Sequence, residues 1–293
     1  MTSAARLRPD WFRPELFPFD SRFVDIDGAG VHYVDEGTGP TLLLLHGNPT
    51  WSFLYRHVIA GLRDRFRCVA LDYPGFGLST APAGYRFTVA DHRDVVAGFI
   101  EALDLTDYTI MVQDWGGPIG LSAALDAPHR LASLVVGNTW AWPKADPMTV
   151  AFSVLLGQLP GELLVRRLGV FTNVLVPRGR GRSRLSDGEM AMYRGPHPTP
   201  ASRLPVQTFA RQILEARPLL ADLERRLAVL ADRPALLLWA TGDPAFGGRE
   251  LGRFQQLLPR AETVLLRGAG HFFQDDVPDE VVAAIEGWYP GTA

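Results

Sequence analysis

The sequence predicts an α/β architecture: a mostly parallel sheet of eight strands flanked by helices, with a helical segment inserted after the sixth strand. Three observations carry that expectation. Short apolar runs without polar alternation recur along the chain, as expected for strands covered on both faces. Stretches with helical spacing fall between those runs, the pattern of a parallel sheet built from crossover units. From about Trp140 to Ala221 the alternation stops, proline and glycine become frequent and no buried strand can be read.

Taken in order, Phe23 to Asp27 and Val31 to Asp35 alternate around GAG and read as a hairpin. Thr41 to Gly47 (TLLLLHG) is a buried strand, and helical spacing follows from Trp51 to Leu62. Arg67 to Leu71 is the next strand and enters DYPGFGLS, after which Thr88 caps a helix running to Leu103. The stretch YTIMVQDWGGPIGLSAALD (108–126) gives a strand at Tyr108 to Val112 and a helix from Pro118, with only QDWGG to turn the chain. Leu131 to Asn138, Pro234 to Asp243 and Ala261 to His271 supply three more strands, with helices starting near Arg249 and Asp279. Within the insertion, short helices are expected at Val150 to Leu156, Gly161 to Leu168 and Ser186 to Tyr193. The domain reading is therefore a core of 1–139 and 222–293 with a helical cap, or lid, at 140–221. A segment inserted there can cover the carboxyl ends of the sheet, where ligands of open α/β sheets bind.

Composition narrows the function classes. The chain has 293 residues, 29 basic against 32 acidic side chains, and a net charge of −3, so it presents no basic surface for nucleic acid. Its one basic cluster, Arg178, Arg180, Arg182 and Arg184 interleaved with glycine, reads as a solvated loop. The single Cys68 lies in an apolar strand and reads as a buried, inert thiol, which fits a cytoplasmic location. Neither a signal peptide nor a membrane span is expected, because charges and proline interrupt the apolar stretches.

The chemistry is concentrated in three loops that each follow a strand. QDWGG is a sharp strand-to-helix turn of the nucleophile-elbow kind, but it carries Asp114 where a serine would stand and Val112 at the first glycine position. Asp243 follows the seventh strand and His271 the eighth, so nucleophile, acid and histidine project from one edge of the sheet in that chain order. Taken singly, Asp243 before Pro244 reads as a turn residue and His271 is undecided; their joint placement makes a triad. A carboxylate nucleophile suits attack on saturated carbon. It leaves an ester that water can open, whereas a serine would leave an inert ether. His271, oriented by Asp243, would take the proton from that water. The oxyanion of that step would be met by the backbone N–H groups of Trp115 and Asn48.

These residues resemble a family. HGNPTWSFLYR (46–56), DYPGFGLS (72–79), VQDWGGPIG (112–120), the Asp243 turn and GAGHFFQDD (268–276) are similar to the haloalkane dehalogenases of the α/β-hydrolase fold. The resemblance implies that Asp114 displaces halide to form an alkyl ester, that His271 is the base of its hydrolysis and that Asp243 is the acid partner. It implies that the side-chain N–H groups of Asn48 and Trp115 hold the halide, a large anion that needs N–H donors in an apolar pocket. Some members carry a glutamate after the sixth strand; this chain has the uncharged Asn138, so it resembles the subfamily that uses an aspartate after the seventh. Phe171, Phe209, Ala210 and Phe272 are candidate pocket residues, each equally readable as plain core. The expected partners are a small apolar halogenated substrate, water and a halide ion, with no cofactor and no metal. Epoxide hydrolases share the Asp nucleophile but use a pair of lid tyrosines, and this insertion has only Tyr193. The same fold and motifs are also compatible with a luciferase-like oxygenase and with a non-catalytic ligand binder.

Overall fold

The computed structural model describes residues 8–289, so the outer ends of the expected core, 1–7 and 290–293, lie outside it. The strands are β1 (Arg22–Ile26), β2 (Ala29–Glu36), β3 (Thr41–Leu45), β4 (Arg67–Leu71), β5 (Tyr108–Asp114), β6 (Leu131–Thr139), β7 (Ala235–Ala240) and β8 (Glu262–Leu266). They form one sheet of order β1-β2-β4-β3-β5-β6-β7-β8. The β1/β2 and β2/β4 pairs are antiparallel and the other five are parallel.

The strands lack alternation because both faces are covered. Leu43, Leu45, Ile110, Val112, Val136 and Leu237 pack on one side, whereas Leu42, Leu44, Met111, Val135 and Leu236 pack on the other. Each side is a contiguous apolar core. The hairpin turns more tightly than the GAG motif suggests: Asp27 (φ +52°) and Gly28 (φ +82°) both lie in the left-handed region, giving a two-residue turn, and β2 starts at Ala29.

Helix α1 (Arg56–Leu62) follows a separate 3₁₀ turn at Ser52–Tyr55 instead of one continuous helix from Trp51. The Ser52 N–H donates to the buried Asp72 carboxylate at 2.8 Å, which gives this first-turn amide the acceptor that the helix itself does not supply. Asp72 also accepts from His32 Nδ1 at 2.7 Å and the Leu78 N–H at 2.9 Å, so one carboxylate fastens the DYPGFGLS loop to β2. Helix α2 (Val89–Ala102) is capped by Thr88: its side chain accepts from the Asp91 N–H at 3.2 Å and Asp91 accepts from the Thr88 N–H at 3.0 Å. Helix α3 (Gly116–Ala124) leaves the elbow.

Between β6 and β7 the described chain runs through helical segments only, beginning with α4 (Pro147–Gly157), capped by Asp146, and Leu159–Arg167, and including Asp187–Arg194, Leu204–Glu215 and Arg217–Arg226. Ser186 and Glu189 form a reciprocal cap on Asp187–Arg194. After β7 and β8 the helices Gly248–Leu257 and Pro278–Trp288 start one residue before the expected positions. The Gly/Arg run is not a solvated loop throughout. The Arg180 side chain is buried and pairs with Asp275 at 2.7 Å, and the N–H groups of Gly181, Arg182 and Ser183 converge on Asp276 at 2.7 to 3.1 Å. The reason is a cross-chain one: acidic residues after β8 supply the charge and acceptors that a loop of arginine and glycine lacks by itself.

The elbow depends on missing side chains. A Cβ on Gly116 would sit 2.4 Å from the Leu45 carbonyl oxygen, and one on Gly117 would sit 2.0 Å from Thr139 Oγ1. In the first case the obstacle is backbone of the central β3 and cannot rotate away. Gly116→Ala should therefore destabilise the fold by about 1–3 kcal/mol, read as a lower midpoint in urea unfolding; an unchanged midpoint would show that the elbow has slack.

Candidate active site

The sheet order determines where the loops meet. The chain passes from β3 to β4 on one side and returns to place β5 on the other side of β3, so the loops after β3 and β5 diverge and leave a crevice at their carboxyl ends. Asn48 and Asp114 lie there, and the Asn48 N–H donates to Asp114 Oδ1 at 2.7 Å. A Cβ on Gly47 would fall 2.3 Å from the same oxygen, so the glycine makes room for the carboxylate. The Trp115 N–H also donates to it.

Asp114 has φ +50°, an uncommon conformation for a residue with a side chain. Its carbonyl oxygen accepts from Thr139 Oγ1 at 2.5 Å, which anchors the turn to β6. The strained backbone turns the carboxylate out of the sheet edge and into a cavity of about 590 Å³. Asn48, Trp115, Asp243 and His271 line that cavity with Asp114. His271 Nε2 is 3.8 Å from Asp114 Oδ2, and His271 Nδ1 is 2.8 Å from Asp243 Oδ2. The three groups identified from sequence order are thus brought together.

Asn138 has a different task from the glutamate whose place it takes. Its amide N–H groups donate to Asp243 Oδ2 (3.0 Å), the Ala240 carbonyl (3.1 Å) and the Phe246 carbonyl (3.2 Å), and its oxygen accepts from the Ala240 N–H (2.7 Å). It fastens the loop that carries the acid. The Ala245 N–H, donating to Asp243 Oδ1 at 2.7 Å, completes that loop.

The electrostatics shift both partners of the His271–Asp114 pair upward. Burial disfavours the charged form of His271, but the charge and hydrogen bond of Asp243, with Asp114 beside it, carry its pKa above the ordinary histidine value. Burial raises the Asp114 carboxyl, against His271 and the Asn48 and Trp115 N–H groups, which favour the ion. His46, His92 and His197, by contrast, are buried outside the cavity and lowered by that burial to about 4, about 3 and about 4, so they stay neutral.

Gln113, which motif and chain order do not single out, donates from Nε2 to His271 Nε2 at 3.0 Å and to the His271 carbonyl at 3.1 Å. With Nδ1–H directed at Asp243, the Nε2 lone pair is the acceptor there, so Gln113 marks the neutral tautomer that a base requires. Its place immediately before the nucleophile on β5 is the one sequence signal that points to it. Trp140 is a second residue absent from the expected site. It lines the cavity, its ring meets Trp115 edge-on at 4.6 Å, and its buried N–H has no protein acceptor. Phe246 stacks between Trp140 (5.3 Å) and His271 (5.7 Å).

Of the four expected pocket residues, Phe171, Ala210 and Phe272 line the cavity. Phe209 does not. The helix Leu204–Glu215 turns Ala210 and Ile213 to the cavity and places Phe209, fully buried, behind the Trp115 indole at 5.1 Å. The Asn48 amide donates to the Val206 carbonyl at 3.2 Å, and its buried oxygen has no partner. Asp276 accepts the Gly270 N–H at 2.9 Å, and the Phe272 N–H donates to the Gly179 carbonyl at 3.1 Å. The strap 179–183 is therefore bonded on both sides of His271.

Fold and site together define a hydrolase of the nucleophile-elbow type, and a family profile described as alpha/beta hydrolase fold matches residues 40–278. Haloalkane dehalogenase 2 of Mycobacterium tuberculosis (strain ATCC 25618 / H37Rv) is 45% identical over 274 residues, 93% of this chain and 96% of that protein. The crystal structure of the haloalkane dehalogenase DatA from Agrobacterium tumefaciens C58 superposes with a TM-score of 0.84 at 27% identity, covering 92% of this chain and 95% of that one. A cis-3-alkyl-4-alkyloxetan-2-one decarboxylase of Shewanella oneidensis is 31% identical over 282 residues, 92% of this chain and 88% of that protein. The chain belongs to the haloalkane dehalogenase family of the α/β hydrolases.

A base works only when neutral, and a raised pKa protonates His271 at higher pH than an ordinary histidine, so the rate should fall as pH drops through a value above 6.5. Asp243→Asn removes the group that raises it. We expect a loss of about 10⁴-fold and an acid limb displaced to lower pH in the pH–rate profile. A limb that stays in place would show that Asp243 does not set the His271 charge.

Proposed function

We propose that this enzyme hydrolyses haloalkanes to an alcohol, a halide ion and a proton through a covalent ester on Asp114. The observation that carries the proposal is the ionisable carboxylate of Asp114 at the floor of an apolar cavity, 3.8 Å from the His271 imidazole and next to two side chains that offer N–H groups. An Asp114 oxygen attacks the halogen-bearing carbon, forming the C–O bond as the carbon–halogen bond breaks. The leaving halide is held by the indole N–H of Trp115 and the amide of Asn48. Water replaces Gln113 at His271 Nε2, gives up a proton to it and adds to the ester carbonyl. Asp243 stabilises the imidazolium that results. The backbone N–H groups of Asn48 and Trp115, which already point at the carboxylate, receive the negative charge of the tetrahedral intermediate. Collapse breaks the bond to the alkoxide, which takes the proton of the added hydroxyl and leaves as the alcohol; Asp114 is restored as the carboxylate and His271 releases its proton to solvent.

Residues 140–221 act in this reading as a cap, with Phe171, Leu175 and Ala210 closing the cavity over the nucleophile. No cofactor or metal has a role. The buried Cys68 is consistent with the cytoplasm as the place of work.

Epoxide opening is disfavoured by one contact. Tyr193, the one tyrosine of the cap, is buried outside the cavity and donates its hydroxyl to Asp275 at 2.8 Å, so it has no access to an epoxide oxygen. The decarboxylase relative favours a second reading, attack on a ring carbon of a strained 3,4-dialkyl-oxetan-2-one by the same carboxylate, with loss of carbon dioxide.

Purified protein with 1-bromobutane or 1,2-dibromoethane in weak buffer should release bromide and acid, and Asp114→Ala should lower both by about 10⁴-fold or more. Removing the His271 imidazole should let the alkyl ester accumulate, visible by mass spectrometry. Absence of halide from a broad panel, with alkene and carbon dioxide formed from a cis-3,4-dialkyl-oxetan-2-one, would transfer the assignment to the second reading. Trp115→Phe keeps the ring and deletes one N–H; kcat should fall by about 10²–10³-fold, and an unchanged kcat would remove the indole from halide binding.

A further inference from the structure

The outer face of α4 has the wrong polarity for water. The helix PMTVAFSVLLG contains no charged residue. Its buried side is narrow, consisting of Ser153, Leu156 and Gly157: Ser153 donates to the Ala210 carbonyl at 2.7 Å, and Gly157 lies so close to the helix beneath that a Cβ would fall 2.6 Å from Arg211 Cα. Its solvent side carries Met148, Phe152, Val154 and Leu155, and the segment that follows adds Leu159, Leu163 and Leu168. Among the described residues, seven of the nine exposed large apolar side chains belong to this stretch of the cap, with Met148 80% and Leu159 85% exposed. Single exposed apolar residues are ordinary; a contiguous set on one helical pair marks a surface that is covered in use.

Charge identifies the cover. Residues 140–221 hold 11 basic and five acidic side chains, which leaves 18 basic and 27 acidic for the rest of the chain, so a cap of net +6 sits on a core of net −9. Arg166, Arg167 and Arg178 stand near the patch with no carboxylate partner among the described ion pairs. Lys144, Arg180 and Arg182 are paired with Glu250, Asp275 and Glu280 of the core, but Arg166, Arg167 and Arg178 are not. In a two-fold contact between copies, patch would meet patch and these arginines would face their counterparts, which opposes association. An anionic lipid surface supplies both the apolar layer and the opposite charge.

We propose that this enzyme docks on anionic lipid membranes through the outer face of α4 and the segment Leu159–Arg167, lying on the surface without crossing it. The two helices are bent by 57° at their junction, and neither alone is long and apolar enough to span a bilayer. Met148 and Phe152 belong both to the patch and to the cavity wall, so the cavity mouth faces the lipid, where apolar haloalkanes concentrate.

The test is flotation of the purified full chain with vesicles of phosphatidylcholine alone or mixed with phosphatidylglycerol, read without any halide substrate, so that its outcome is independent of the dehalogenation assignment. Binding should require the anionic lipid, weaken as salt is raised and fall at least about 10-fold in Leu155→Glu/Leu159→Glu. Neither leucine lines the cavity. If the double variant melts early, Leu159→Glu alone and the salt dependence of the parent chain decide the question. Absence of flotation with both vesicles, or flotation that the variant leaves intact, overturns the proposal. A concentration-dependent dimer in sedimentation equilibrium, dissolved by the same variant and formed without lipid, would overturn it in favour of a second copy.

Discussion

One carboxylate held at positive φ organises this molecule. Asp114 can occupy the end of β5 because Gly47 makes room for its carboxylate, Gly116 and Gly117 let the turn lie against Leu45 and Thr139, and Thr139 binds its carbonyl. The strain is offset by hydrogen bonds to Asp114 from the Asn48 and Trp115 backbones, the same N–H groups that the proposed reaction uses. Stability and chemistry therefore depend on the same few atoms. The geometric condition for both is the crossing of the sheet order at β3 and β5, which makes a place where two loops part and a carboxylate can stand.

Around that point the structure uses neutral amides where charge would compete. Asn138 binds the Asp243 loop through four hydrogen bonds without adding a third negative group beside His271. Gln113 satisfies the resting imidazole without protonating it. Two carboxylates near one histidine are enough: a third would raise the His271 pKa further and hold more of the base in its protonated form.

The strands and the order Asp114, Asp243, His271 are legible in the sequence because apolar runs mark buried strands and the residue after each run must emerge at one edge. Thr88 as a cap is legible for a similarly local reason. What is not legible depends on helical phase or on partners distant in sequence. Phe209 and Ala210 differ by one position, about 100° around a helix, and only packing decides that Ala210 meets the cavity while Phe209 braces Trp115. The ordering of the Gly/Arg run rests on Asp275 and Asp276, more than 90 residues downstream, and no property of the run announces them. Trp140 is not singled out as a site residue by the sequence because the cavity wall it joins is assembled from the end of β6, the loop after β7 and the helical segments between β6 and β7.

Cys68 gains meaning from the chemistry proposed for the cavity, whose lining does not include it. Alkyl halides alkylate thiolates, so an enzyme that collects them runs the risk of modifying itself. The only cysteine of the chain is fully buried in β4, and burial pushes its thiol up to about 12, so almost none of it is nucleophilic at neutral pH. In the proposed reaction the carboxylate of Asp114 is the nucleophile that alkyl halides meet in the cavity, and its ester can be reopened by water. Self-inactivation is avoided by the same burial that builds the sheet.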